Sequence, residues 1–265
     1  MDSSAGEVLD AQIMGAPKLT PAENRVWQAA VLLFAQKGYA ATGIRDIAKA
    51  AGITSATLYH YAANKEALLV QIMTAGQRSL TQNAVTMLEQ VERPEERLGV
   101  LVANLVGAHA TNPMTTVVVD TEVRALSEGT EHYQLVVGLR DEYELLWRQV
   151  LELGAAEGVF GFGDEHVTRL GLLTMCAGLS RWYKPGGTDG TGSMIERFTD
   201  TALGTVRAAR DGRWVRSHDL TPRPYVPVSL PWEPWLDRDR AAPNSRMDDT
   251  AAIASTGTAQ ALLDT

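Results

Sequence analysis

Apolar residues recur along most of this chain at helical spacing, three and four apart, with no sustained two-residue alternation. Val26, Ala30, Leu33 and Phe34 share one face of a first helix. Thr20-Pro21-Ala22-Glu23 opens it as a capping box with proline at the first helical position. Two short helical runs follow, Ile44–Ala51 and Thr54–Tyr61. They are joined at Gly52, since glycine reaches backbone angles closed to other residues. Thr54 is placed to cap the second run. Ile47, Ala51, Ile53, Leu58 and Tyr61 fall where two crossing helices need apolar contacts, and Ala48 is small at the crossing. Asn64-Lys65-Glu66 caps a long helix, expected to continue to about Glu92.

Pro94 opens the next helix, with Leu98, Leu101, Val102, Leu105 and His109 on one face. Asn112-Pro113 ends it. A short helix over 117–127 and a long one over 130–157 follow; the long one carries a stripe that includes Val136, Arg140, Tyr143, Trp147, Val150 and Leu151. Asp164 caps a helix expected to reach Tyr183, where Lys184-Pro185-Gly186-Gly187 stops it. Ser193-Met194-Ile195-Glu196 reads as a second capping box, opening a last helix to about Ala209. Pro222, Pro224, Pro227, Pro231 and Pro234 then end the helical pattern. The Trp-Pro part, with Trp214, Trp232 and Trp235, is expected to lie over the body surface, because exposed indoles lose favourable burial. Residues 241–265 read as disordered, with a helical tendency over 251–263. The expected architecture is all-α. It comprises a loose leader at 1–17, a three-helix head at 18–70, a helical body at 71–210 and a Pro/Trp-rich extension at 211–265.

Composition sharpens this outline. The 265-residue chain is 45% hydrophobic, enough for a real core, and its formal net charge is -8. The charge is uneven. Between Lys18 and Val70, Lys18, Arg25, Lys37, Arg45, Lys49 and Lys65 outnumber Glu23, Asp46 and Glu66, which makes a basic head on an acidic body. Cys176 is the single cysteine; it sits among apolar residues and is expected to be inert core. The five histidines lack metal-ligand spacing, so no metal or other cofactor is expected. There is no GxSxG, Walker loop or GxGxxG, which argues against an enzyme. No apolar run approaches the ~20 residues of a membrane span, and the polar start does not read as a signal peptide. The expectation is a soluble cytoplasmic protein.

The paired short helices in a basic head have the form of a helix-turn-helix, whose second helix lies in the DNA major groove. The same shape also occurs as plain helical packing. On the DNA reading, Thr42, Arg45, Ser55, Thr57, Tyr59 and Lys65 are expected to touch phosphate, with Thr54 at the helix start. Ser55, Ala56 and His60 are expected to reach base edges. The stretch LFAQKGYAATGIRDIAKAAGITSATLYHYAANKEALL, within Pro21–Val70, resembles the DNA-binding domain of the tetracycline-repressor family of bacterial regulators. Two positions depart from the family pattern. Ala62 stands where an aromatic is usual, which would loosen packing against the first helix. Ser55-Ala56 stands where Lys or Pro then Gly is common, which bears on the bases read.

The resemblance implies a homodimer that binds a double-stranded operator and a body that binds a small inducer. Inducer binding moves the heads apart and off the DNA. The last two body helices, with Gly171, Ala177, Gly178, Ala202 and Gly204, suit a two-fold four-helix interface. Arg181-Trp182-Tyr183-Lys184-Pro185-Gly186-Gly187 resembles a run found in family members that govern fatty-acid and sterol breakdown, several of which respond to acyl-CoA thioesters. Candidate cavity residues are His109, Arg124, Tyr143, Trp147 and Trp182, with Arg124, Arg181 and Lys184 as rim cations. His109 on its apolar face also fits an ordinary hydrogen-bonded core histidine. A different reading keeps a vestigial head and makes the chain a protein-interaction module acting through its tail.

Overall fold

The computed structural model describes residues 19–183, 190–223, 225–228 and 230–233. The expected leader at 1–17, the Lys184–Gly187 stop and the expected disorder at 241–265 lie outside them. Within the described residues the chain is helical apart from one small hairpin.

The head holds α1 (Pro21–Lys37), α2 (Ile44–Ala50) and α3 (Ser55–Leu58). The capping box of α1 is formed as the sequence suggests: the Thr20 hydroxyl accepts from Glu23 N, and Glu23 accepts from Thr20 N at 2.7 Å. Gly52 makes the turn between α2 and α3 with φ 69°. Val26, Ala30, Phe34, Ile47, Ala48 and Leu58 form the head core. Ala62 is buried in it as well, so the small side chain is packed rather than left loose.

The long α4 (Lys65–Leu88), capped by Asn64, runs from head to body. It ends at Leu88, four residues before the expected Glu92. The body adds α5 (Pro94–Thr111), α6 (Pro113–Thr121), α7 (Glu131–Ala156), α8 (Glu165–Ala177) and α9 (Thr191–Thr205). Asp164 caps α8 as expected, accepting from Val167 N at 2.8 Å. That helix stops at Ala177, and a 3₁₀ turn over Gly178–Arg181 replaces its last expected turn. Ser193 is not a cap: α9 begins two residues earlier behind Gly190, and Ser193 lies inside its first turn.

The extension departs most from expectation. Asp211 and Gly212, at φ 52° and 74°, turn a two-stranded hairpin, β1 (Ala209–Arg210) with β2 (Arg213–Trp214). The tail then follows α5. Arg210 grips Glu95 through both carboxylate oxygens at 2.7 and 2.9 Å, and Thr221 and Arg223 bond to Glu96 at 2.7 and 3.2 Å. Trp232 is fully buried, in contact with the head core. Trp214, by contrast, is 65% exposed, so the expected burial holds for Trp232 and fails for Trp214, while Trp235 lies outside the described residues. No helix among the described residues is long and apolar enough to cross a membrane.

Candidate functional site

The outer face of the head presents a compact polar set. Arg45, Thr54, Ala56, Tyr59 and His60 are exposed, and Ser55 and Thr57 half-buried. Tyr59, 54% exposed, is a large ring left in solvent on a helix whose other face is core. The Thr54 hydroxyl accepts from Thr57 N at 3.1 Å and lies 2.9 Å from the Thr57 hydroxyl, so these two side chains hold the start of α3. Two expected phosphate contacts are taken up by the fold instead. Thr42 is buried, and its hydroxyl donates to Gly38 O at 2.8 Å. The Lys65 ammonium donates to Tyr39 O and Thr42 O at 2.8 and 2.9 Å and lies 4.0 Å over the Tyr39 ring. Lys65 ties α4 to the loop between α1 and α2, and the Thr42 hydroxyl closes that loop onto the end of α1.

A cavity of about 750 Å³ opens among α4, α5, α6, α7 and α8. That is a drug-sized volume with a mostly apolar lining and a few convergent polar groups. Leu80, Leu105, Val117, Val119, Val137 and Leu173 supply apolar wall. The polar groups gather at one side. His109 Nδ1 donates to Leu105 O at 2.8 Å and its Nε2 lies 3.1 Å from an Asp120 carboxylate oxygen, and Arg140 donates to Val119 O at 3.3 Å and sits 3.9 Å from Asp120. Asp141, Glu144 and Arg181 also line it. Tyr143 donates to Asn104 Oδ1 at 2.8 Å. Burial raises its phenol far above the usual range, which keeps it a neutral donor.

Of the sequence-derived candidates, His109, Tyr143 and Arg181 therefore reach the cavity, and His109 is at once a lining residue and a satisfied core histidine. Three others do not. Trp147 is fully buried in the body core. Arg124 is exposed in the 3₁₀ turn after α6, and Trp182 is exposed and stacks on Phe198 with ring centroids 6.3 Å apart. Lys184 lies outside the described residues. Cys176 is buried, and burial pushes its thiol up to about 12, so it stays protonated and inert. Asp120 and Thr115 were missed as cavity residues, because the short α6 shows no helical stripe long enough to say which face turns inward, and Arg140 and Asn112 were read only as part of a stripe and as a helix break. Val228 and Leu230 of the tail also line the cavity. Their signal was indirect: apart from Asn104 and His109, α5 is apolar from Leu98 to Ala110, and such a helix needs cover on every side.

A small helix-turn-helix head joined through one long helix to a cavity-bearing helical body defines a DNA-binding transcriptional regulator. Residues 27–72 match the model described as bacterial regulatory proteins, tetR family, and residues 91–206 that of the tetracyclin repressor-like C-terminal domain. The chain belongs to the tetracycline-repressor family. It is 29% identical over 175 residues to the HTH-type transcriptional repressor KstR2 of Rhodococcus jostii, an alignment spanning 66% of this chain and 85% of that one. It is 28% identical to the KstR2 of Mycolicibacterium smegmatis over 70% of this chain and 92% of that one. Among solved structures it resembles a tetR-family regulator from Rhodococcus RHA1 at 27% identity and TM-score 0.67, covering 72% of this chain and all of the other.

Proposed function

We propose that the chain is a transcriptional repressor that binds a pseudo-palindromic operator as a homodimer and leaves it when a small molecule fills the body cavity. The observation that carries this reading is the position of α6. It lines the cavity on one side and packs against α1 of the head and α4 on the other. An occupant that prefers one placement of α6 thereby biases the placement of the head, which is what ligand-driven release requires.

The inducer we propose is an acyl-CoA thioester. The apolar wall suits an acyl body, each buried CH₂ of which contributes about 0.8 kcal/mol. Arg140 and Arg181 can meet its polar end, although Asp120, Asp141 and Glu144 beside them place the phosphates toward the rim rather than the interior. Support by relationship comes from the KstR2 repressors and from a structure of AibR in complex with isovaleryl coenzyme A and operator DNA, which shares the fold at 21% identity and TM-score 0.62. Gel shift on operator fragments, with long-chain, aromatic and steroid-derived acyl-CoAs and their free acids as controls, tests it. Release by at least one thioester below millimolar concentration is expected. Release by an unrelated metabolite alone would leave the ligand-gated repressor and remove the thioester.

A further inference from the structure

The tail residues after the family-matched body occupy a place that joins the two working parts. Gly99 and Gly107 of α5 leave room for them: a Cβ on Gly99 would lie 2.9 Å from Leu220 Cδ1, and one on Gly107 would collide with the Tyr225 ring. Asn112 at the end of α5 donates to Val228 O at 2.5 Å. Val228 and Leu230 are cavity wall. Two residues further on, Trp232 meets Trp27 of α1 edge to face, with ring centroids 4.9 Å apart, and donates to the Thr115 hydroxyl at 3.2 Å. Glu233 is fully buried at the start of α6. It accepts from Met114 N at 3.0 Å, Thr115 N at 3.1 Å and the Thr115 hydroxyl at 2.6 Å. Those backbone donors are the ones a helix start leaves without partners.

We infer that Val228, Leu230, Trp232 and Glu233 of the tail are the part of the ligand site that reports its occupancy to the DNA-reading head. The inference rests on the ligand-released reading above. An occupant long enough to press on Val228 and Leu230 moves the wall, and Trp232 and Glu233 move with it because they are only two to five residues away. That withdraws the indole from Trp27 and the carboxylate from α6, and the head loses the contact that fixes its angle. A shorter occupant fills the cavity without reaching the wall and leaves the DNA bound. Ligand length, rather than affinity, then sets which molecules act as inducers.

The test uses the full chain, with operator affinity read by fluorescence anisotropy and cavity filling read with the dye 8-anilinonaphthalene-1-sulfonate. Trp232→Ala is expected to weaken operator binding at least tenfold without any ligand, and Trp232→Phe to restore most of it. Leu230→Ala is expected to change dye affinity at least threefold. Should Trp232→Ala fail to fold, Glu233→Gln keeps the side-chain shape, and a threefold or greater loss of operator affinity is expected from it. Operator affinity within twofold of the parent in the folded tail variants, or dye binding indifferent to Leu230→Ala, overturns the inference and leaves the regulator reading standing. A parent chain that binds no operator fragment overturns both.

Discussion

Gly107 is where a single missing Cβ has opposite consequences in two backgrounds. Alanine is a better helix former than glycine by about 1 kcal/mol, so an exposed helical site would gain from the exchange. Here the added methyl strikes the Tyr225 ring. Gly107→Ala is expected to destabilise the parent by about 1–3 kcal/mol, as overpacking does. In a Tyr225→Ala background the same change is expected to be neutral or stabilising; thermal melts of the four proteins in the cycle measure the difference. On the head, Tyr59→Ala is expected to weaken binding to all DNA sequences alike, whereas substitutions at Ala56 are expected to change sequence preference, read by anisotropy on a panel of operator variants. Lys65→Ala is a different experiment. Its ammonium bonds two backbone carbonyls, so the expected first effect is a lower melting temperature, from about 1–3 kcal/mol of lost bonds, before any loss of phosphate contact.

At the scale of elements, the helix starts were written in the sequence because a cap is a local event: Thr20, Thr54, Asn64 and Asp164 each bond a backbone N–H three residues on. Ser193 misled because a serine three before a glutamate is the same local pattern inside a helix. The cavity was only half readable. Helical spacing says which face of α7 is apolar, but not which helix lies opposite. Tyr143 therefore lines the cavity, while Trp147, one turn along the same stripe, is buried in the body core. The tail could be placed over the body but not on particular partners, since its bonds to Asn112 and Thr115 span over a hundred residues. On α8, Val167 and Leu170 are 67% and 41% exposed, and Trp182, just after that helix, stacks on Phe198 of α9. An apolar face of this kind on the last two helices is where the proposed homodimer would close. Leu170→Asp and Phe198→Asp are expected to give a monomer by light scattering and to lose operator binding; a dimer retained by both moves the interface elsewhere. Ala177, which lines the cavity, is a poor site for this test, because a charge there would disturb the ligand pocket too.

For the whole molecule, acid should undo the tail from its root. Burial works to raise the Glu96 carboxyl, but Arg93, Thr221 and Arg223 outweigh it and hold the group at about 2. A folded-state value below the unfolded one contributes stability that is complete above the ordinary carboxylate range and is lost as pH falls toward the folded value. Melting temperature is therefore expected to drop between pH 5 and about 2, and Glu96→Gln to be less stable at pH 7 with a shallower acid slope. Operator binding should also weaken steeply with added salt as phosphate counterions return, despite the net charge of -8, since on the head itself cations outnumber carboxylates.

The edge-to-face meeting of Trp27 and Trp232 also equips the protein with an optical gauge of its own. Two indoles 4.9 Å apart couple their electronic transitions, and coupled transitions give a paired band of opposite signs in circular dichroism. The pair links chain positions that stand at opposite ends of the sequence, so the band exists only while tail and head are docked. Titrating a cavity occupant against that band would follow the undocking directly, without a label and without DNA in the cuvette.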